Sequence, residues 1–244
     1  VYDDKNEKEN FESYMIKQIG VRLYEMFIKN YSEKMWGRPP RELSPQLAYR
    51  IPIRFNNDKR LFTDPYQGVP KHGYTEMFKR MLDNPRIEIV LGTNYRDILP
   101  KLQYDLLFVT APIDEFYNWC YGKLEYRGLR FEFKVFDIKE YQPVGTVNTP
   151  EHPELLRIEE QKKYYQQKSP YTTVVFNYPS NEELFYPMMT EYNINIAKRY
   201  LKLAAKERNI HFVGRLGTYR YINMDQAVAM AIKKFSFLTG IWKI

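Results

Sequence analysis

The pattern of apolar residues changes along the chain, and this change limits the folds open to it. In NFESYMIKQIGVRLYEMFIKNYSEKMW they recur every three or four positions, which predicts a helix that Asn10 caps and that Gly20 can interrupt. YRGLRFEFKVFDI and YTTVVFNY have the pattern of strands in an antiparallel sheet with one face in water. The helical segment EYNINIAKRYLKLAAKER then leads to the strand IHFVG. This order of elements predicts an α+β (mixed α/β) fold.

Shorter elements are expected between these segments. SPQLAYR predicts a short helix with Ser44 as its cap and Pro45 at its first position. TEMFKRMLDN predicts a helix, while IEIVLGT (residues 87–93) and DLLFVTAP predict strands.

Charge and cysteine content narrow the classes of partner. The net charge is +7, but basic residues are interspersed with acidic ones, which favours a solvated surface over a nucleic-acid-binding face. Cys120 is the only cysteine and excludes an internal disulfide, and His72, His152 and His211 lie far apart, so we expect no metal site. A single thiol fits the reducing cytoplasm, and no segment approaches 18 consecutive apolar residues. We therefore predict a cytoplasmic protein without a membrane partner.

The segment GRLGTYRYINM carries more polar and aromatic residues than a simple turn needs. A strand leads to Gly214, and a helix is expected to begin near Asn223. The first amides of such a helix attract an anion, either a phosphate or the N1–C2=O edge of a reduced flavin, and Arg215 adds a fixed charge. A capped helix with ordinary aromatic packing explains the same residues equally well.

A second cluster surrounds the end of the first helical segment. Tyr31 and Trp36 could stack on a uracil or sugar face, while Arg50 and Arg54 could bind a diphosphate. The spacing alone favours the alternative, a helix end followed by ordinary surface arginines.

Longer motifs make the interpretation specific. LYEMFIKNYSEKMWGRPPRELSPQLAYRIPIRF resembles the UDP-galactopyranose mutase family, whose pattern is LYE-x-F-x-x-x-Y-[ST]-x-K-x-W-x-x-x-P-x-x-L. NDKRLFTDPYQGVPKHGYTEMF, LLRIEE, FYPM and GRLGTYRYINMDQAVAMAI are similar to further motifs of the family. The resemblance extends from about Asn10 to Ile232.

The resemblance implies an FAD-dependent isomerase that interconverts UDP-galactopyranose and UDP-galactofuranose through a reduced-flavin N5–sugar adduct. It implies a helical substrate-binding region at residues 1–55 and a mixed sheet region at 56–200 that includes a flavin-domain strand at 105–110. A strand–loop–helix at 201–244 would be a further part of the Rossmann-like FAD domain. The partners implied are a UDP-sugar and a second copy of the chain.

Site residues follow from matching positions in the family motifs. The resemblance implies that Tyr31 stacks on uracil, that Trp36 lines the sugar end and that Arg50, on a mobile loop, closes over the diphosphate; Arg50 and Trp36 are the expected catalytic residues. The remaining substrate-binding residues it implies are Arg157, Tyr186 and Tyr221. The cofactor-binding residues it implies are Gly214, Arg215, Tyr221, Asn223 and Met224.

Three positions depart from the family pattern. Leu61 replaces a tyrosine, Asn223 replaces an aspartate, and either Phe176 or Asn177 stands where many bacterial members carry a second diphosphate arginine. The chain also contains no GxGxxG segment, so we expect it to bind FAD weakly and to be inactive alone. A mutase-like flavoenzyme for another nucleotide sugar and a non-catalytic nucleotide-sugar module remain alternatives, and a nucleic-acid-binding protein is the most distant one.

Overall fold

A computed structural model describes residues 9–58 and 60–240 and confirms the mixed α+β fold. The α-helices of this part of the chain are α1 (Phe11–Leu23), α2 (Asn30–Trp36), α3 (Gly73–Leu82), α4 (Tyr95–Ile98), α5 (Ile113–Phe116), α6 (Gln161–Tyr165), α7 (Glu191–Ala204), α8 (Gly214–Gly217) and α9 (Met224–Thr239). The strands are β1 (Leu107–Val109), β2 (Tyr126–Phe136), β3 (Thr146–Asn148), β4 (Arg157–Glu160), β5 (Thr172–Ser180), β6 (Tyr186–Pro187) and β7 (Ile210–Phe212).

The first helical segment begins and breaks where the sequence predicts. The Asn10 side chain accepts a hydrogen bond from the Ser13 amide (3.0 Å), and the Ser13 hydroxyl accepts one from the Asn10 amide (3.0 Å), which completes a capping box. Gly20 has a φ of 79° and kinks the helix, and a π-helical turn at Tyr24–Lys29 joins α1 to α2. The predicted helix after Ser44 is a single 3-10 turn, Pro45–Leu47.

The strands form two separate sheets. The larger is antiparallel with the order β3-β4-β5-β2-β6, and its longest pairing runs from Gly128 opposite Ser180 to Phe136 opposite Thr172. The smaller is a parallel pair, β1 with β7. This parallel pair accounts for the strand expected at residues 105–110 and for the late strand IHFVG.

A continuous apolar core joins the helical segment to the larger sheet and to α7. It includes Met15 and Tyr24 from the helical segment, Leu129 from the larger sheet, Leu156 just before β4, and Tyr200 from α7, all at most 2% exposed. Each fully buried side chain of this size contributes about 1.5–3 kcal/mol, so packing against the sheet fixes the position of α2.

The second glycine of GRLG is required by close packing. A Cβ atom at Gly217 would lie 2.6 Å from the carbonyl oxygen of Val109 in β1. Only glycine therefore lets α8 pack against β1 at this distance, which places the chain that follows toward the larger sheet.

One predicted element is wrong. Residues 87–93 form no strand, and Ile89, Val90 and Leu91 are exposed. The segment has an apolar pattern but no strand pairs with it in the described parts of the chain, and a strand is stable only when paired. The short strands β3 and β6 were not predicted, because three and two residues are too few to show a period.

The region boundaries at residues 55 and 200 stay a prediction, and residues 1–8 and 241–244 of those regions lie outside the described parts. Within residues 9–58 and 60–240, no helix combines the length and apolar character that crossing a lipid bilayer requires.

A buried carboxylate fastens the loop before β3 to the sheet. Glu160 is fully buried and accepts hydrogen bonds from the Thr172 hydroxyl (2.7 Å) and from the amides of Tyr141 and Gln142 (both 3.1 Å). Burial alone would raise the pKa of Glu160, but these hydrogen bonds and the charge of Lys163 outweigh burial and hold that pKa below its usual value.

Replacing Glu160 tests this anchor. Glu160→Gln should lower the free energy of unfolding by about 1–3 kcal/mol at neutral pH, because a neutral amide leaves buried donors poorly paired. A lowered pKa stabilises the fold above the unfolded pKa of about 4.3, and this stabilisation is lost as the pH falls toward the folded pKa. Urea unfolding across pH should therefore show the difference between wild type and variant shrinking in acid.

The matched control is Glu140→Gln, which removes an exposed carboxylate 3.2 Å from Lys163 and should change little. An equal loss of unfolding free energy in the two variants, or a loss in Glu160→Gln that does not depend on pH, would contradict the proposed role of Glu160 as an ionised anchor.

Candidate functional site

A cleft of about 440 Å³ lies between α2, the segment after it and one face of the larger sheet. The structure brings every predicted substrate-binding residue to its lining, together with Arg215. These residues are Tyr31, Trp36, Arg50, Arg157, Tyr186 and Tyr221. Segments distant in sequence therefore supply a single cavity.

Three aromatic rings form one wall of the cleft. Trp36, the last residue of α2, is buried and meets the rings of Tyr186 and Tyr221 edge-on at centroid distances of 6.3 and 5.7 Å. The two tyrosine rings are 5.9 Å apart. Edge-to-face contacts of this kind fix ring orientation, so the wall is preformed.

Arg50 is exposed, whereas Arg157 and Arg215, the other two arginines that line the cleft, are partly buried. Its guanidinium carbon lies 5.1 Å from the centre of the Tyr221 ring, and its Nη1 donates to the Asn223 side-chain oxygen at 3.4 Å. Both partners are neutral, so the charge of Arg50 is available to an anion in the cleft.

Arg157 enters the cleft from β4. Its Nε lies 3.1 Å from a carboxylate oxygen of Glu159. Burial alone would lower the pKa of Arg157, but Glu159 and the nearby hydroxyls of Tyr31 and Tyr186 outweigh burial and raise it. The guanidinium is therefore charged, and a carboxylate neutralises part of that charge.

The phenol groups of Tyr31 and Tyr221 stay protonated at neutral pH. Burial raises the pKa of Tyr31, against the opposing charge of Arg157. Burial likewise raises the pKa of Tyr221, against the opposing charge of Arg50. Both hydroxyls can therefore donate hydrogen bonds to an anionic ligand.

Arg215 connects two walls of the site. Its Nε and Nη2 donate to the Ile222 carbonyl at 3.1 and 2.6 Å, and its Nη1 donates to the Phe185 carbonyl at 3.0 Å. Its guanidinium carbon also lies 5.2 Å from the ring centres of both Tyr186 and Tyr221. This bridging role was not predicted from the sequence, and a contact between Arg215 and a flavin stays a prediction.

The other predicted cofactor residues lie at the edge of the cleft. Asn223 caps α9, where its amide donates to the Gln226 side chain at 2.9 Å. Met224, the first residue of α9, is 69% exposed. Gly214 begins α8 with a φ of 78°, a conformation that favours glycine. Because Arg50 contacts Asn223, the start of α9 lies within reach of the cleft.

Sequence analysis missed several lining residues. Phe27 and Ile28 line the cleft one helical turn before Tyr31, and this spacing could have revealed them. Ser32 lies directly after Tyr31, while Asn148 in β3 carried no local signal. Arg54, from the second cluster, does not line the cleft.

The pairing of β4 with β5 places Phe176 and Asn177 on opposite faces of the larger sheet. Asn177 lies opposite Arg157, so the two share the sheet face that forms the cleft. Phe176 lies opposite Ile158 on the other face, where the Lys134 ammonium group is 5.3 Å from its ring centre. Asn177 is fully buried, is not among the residues that line the cleft and supplies no charge. Leu61 is 57% exposed and lies outside the lining.

The bridging role of Arg215 can be tested by unfolding. Arg215→Met should lower the free energy of unfolding by about 2–4 kcal/mol, because it removes charged hydrogen bonds to two backbone carbonyls. Urea denaturation measures this loss. Arg220→Met is the matched control, because Arg220 is exposed in the loop that follows α8 and its replacement should change stability little. Equal stability of the two variants would show that the hydrogen bonds from Arg215 to the Ile222 and Phe185 carbonyls do not stabilise the fold.

The chain is similar to known proteins of one family. The profile of the family described as UDP-galactopyranose mutase (GLF) matches residues 26–221. Over 236 residues the chain is 38% identical to a probable UDP-galactopyranose mutase of Klebsiella pneumoniae, covering 93% of this chain and 60% of that protein. It is 37% identical over 242 residues to the UDP-galactopyranose mutase of Mycoplasma genitalium, covering 88% and 59%. It is also 32% identical over 239 residues to the dTDP-fucopyranose mutase of Escherichia coli, covering 93% and 63%.

The fold agrees with a solved structure. The crystal structure of reduced UDP-galactopyranose mutase superposes with a TM-score of 0.65 over 99% of this chain and 69% of that chain, at 15% identity, which is a likeness of fold. The chain spans about 60% of the length of the curated relatives that it matches. The family match over most of the chain, together with identities above 30%, establishes that the chain belongs to the UDP-galactopyranose mutase family.

Proposed function

We propose that the protein is an isomerase that interconverts UDP-galactopyranose and UDP-galactofuranose with the help of reduced FAD. The observation that carries the proposal is the convergence of Tyr31, Arg50 and Arg157 on one cleft with a preformed aromatic wall. Such a set fits a nucleoside diphosphate, since a ring can stack on the base while guanidinium groups bind the phosphates.

The substrate would lie along the cleft with its uracil against Tyr31. Arg50 and Arg157 would bind the diphosphate, and the hydroxyls of Tyr186 and Tyr221 would donate hydrogen bonds to it. Negative charge grows on the diphosphate as the sugar–phosphate bond breaks, so cations held at this position would stabilise the transition state more than the ground state.

Trp36 would close the sugar end of the cleft. Its indole is buried against two tyrosine rings, so it offers the sugar a rigid apolar wall and excludes water from the anomeric carbon. Water exclusion matters in this reaction, because hydrolysis would release the free sugar.

The residues at the start of α9 fit the isoalloxazine edge of FAD. The first amides of a 16-residue helix have no partner within the helix, and they lie beside the cleft. We propose that Gly214, Arg215, Tyr221, Asn223 and Met224 hold the flavin, Arg215 through the N–H groups that it does not donate to carbonyls. Reduced FAD, when bound, would supply the nucleophilic N5 atom that attacks the anomeric carbon.

A second candidate is the same chemistry on another nucleotide sugar. Neither Phe176 nor Asn177 supplies a charge where the resemblance implies an arginine in many bacterial members, and one relative is by name a dTDP-fucopyranose mutase. Parallel assays with UDP- and dTDP-linked sugars distinguish the two candidates.

A cytoplasmic homodimer is part of the proposal on the family resemblance alone, and sedimentation equilibrium tests the dimer.

Conversion of the substrate tests the proposed reaction. In a form that retains FAD, the protein reduced with dithionite should convert UDP-galactofuranose to UDP-galactopyranose, which chromatography separates; residues 1–244 alone are expected to be inactive. The oxidised protein is the control and should be inactive. Reduction-dependent conversion of a dTDP-sugar alone would favour the second candidate, and UDP binding without any conversion would indicate a non-catalytic module.

Arg50→Ala tests the residue proposed to stabilise the leaving group. It should lower kcat by about 10²-fold, the usual cost of removing a single group that stabilises transition-state charge, and should also weaken UDP binding. Steady-state kinetics and UDP titration measure the two effects. Arg41→Ala, an exposed arginine that does not line the cleft, should leave both unchanged. If Arg50→Ala behaved like Arg41→Ala, Arg50 would not belong to the site.

A further inference from the structure

An arginine of the larger sheet donates hydrogen bonds to the last turn of α2. Arg127 of β2 donates through Nε to the Met35 carbonyl at 2.7 Å and through Nη2 to the Lys34 carbonyl at 3.3 Å, while its Nη1 donates to the Asn181 side chain. A Cβ atom at Gly37 would lie 3.1 Å from Nη2, so the guanidinium packs directly against the glycine that ends the helix.

This arginine is partly buried, and no carboxylate in the described parts of the chain pairs with it. Burial lowers the pKa of the Arg127 guanidinium. Removing a cation from water without an acid partner costs free energy, which the carbonyls at the negative end of the α2 dipole offset here. The planar group reaches two successive carbonyls at once, a geometry that a lysine cannot reproduce.

A second cation, Lys34, connects the same turn to the segment between β3 and β4. The Lys34 ammonium group donates to the Thr149 carbonyl at 2.6 Å, to the Pro150 carbonyl at 3.4 Å and to the His152 carbonyl. The Thr149 amide donates in turn to the Leu156 carbonyl at 3.0 Å. Lys34 therefore fixes α2 to the connection between β3 and β4.

The residues that these contacts hold are neighbours of cleft residues. Met35 precedes Trp36, Thr149 follows Asn148, and Leu156 precedes Arg157, so each backbone anchor lies next to a side chain that lines the cleft. Lys34 and Arg127 themselves do not line it; they line a separate cavity of about 490 Å³ near the same turn. They connect the aromatic wall with the wall that carries Arg157, without facing the ligand.

We propose that Arg127 and Lys34 are positioning residues that set the separation between the aromatic wall of the cleft and Arg157. The proposal rests on the proposed function, because it takes the cleft to be the UDP-sugar site. Their effect on a ligand is indirect: losing either cation frees the last turn of α2 and displaces Trp36 relative to the sheet.

UDP titration of variants of the full chain tests the proposal. Arg127→Met should weaken UDP binding by about tenfold, since a shift of about 1 Å in a binding group is enough for such a loss. Lys34→Met should act in the same direction, and Arg127→Lys should recover part of the loss through the Met35 carbonyl. Arg130→Met is the matched control: Arg130 lies three residues further along the same strand, is exposed, and should leave UDP affinity unchanged.

A second readout separates this proposal from the proposed function. With 5-fluorotryptophan incorporated, the Trp36 fluorine resonance, assigned by Trp36→Phe, should shift in Arg127→Met and not in Arg130→Met, with or without UDP. If the wild type does not bind UDP but the Trp36 resonance shifts between the wild type and Arg127→Met, the proposed function is overturned and the positioning role remains.

The positioning role is overturned if folded Arg127→Met binds UDP as the wild type does and its Trp36 resonance is unchanged, even with a lower melting temperature. If Arg127→Met does not fold, Lys34→Met and Arg127→Lys decide by the same two measurements.

Discussion

The guanidinium of Arg215 is the contact on which the geometry of the site most depends. It donates to carbonyls in two separate segments, just before β6 and just before α9, and it lies against the rings of Tyr186 and Tyr221. Those rings in turn meet Trp36 at the end of α2. One charged side chain thus links the smaller parallel sheet region, the larger sheet and the helical segment around one cleft.

The distribution of charge in the cleft suits a ligand that brings its own negative charge. Arg50 is held only by a neutral amide and a ring, whereas Arg157 is partly neutralised by Glu159. An aspartate in place of Asn223 would pair with Arg50 before any ligand arrives. The neutral Asn223 therefore leaves the charge of Arg50 available to the proposed diphosphate ligand.

Local features were predictable from the sequence because neighbouring residues determine them. The Asn10 cap, the break at Gly20 and the start of α9 at Asn223 all follow from side-chain chemistry within a few positions. The resemblance to family motifs identified the residues that the fold gathers in the cleft. Their binding roles remain proposals.

Features that depend on pairing between distant segments were not predictable. Residues 87–93 have a strand pattern but no strand to pair with in the described parts of the chain. The sheet faces of Phe176 and Asn177 could be assigned only from the pairing of β4 with β5, since one step along a strand reverses the face. The backbone contacts of Arg215 and Arg127 likewise join segments about 30 and about 90 residues apart, and no local pattern reveals them.

The most direct test of the central claim is a crystal structure of the protein with UDP. We expect the uracil ring to stack on Tyr31 and the diphosphate to lie within hydrogen-bonding distance of Arg50 and Arg157. UDP bound at another surface, or a cleft that stays empty at saturating UDP, would contradict it.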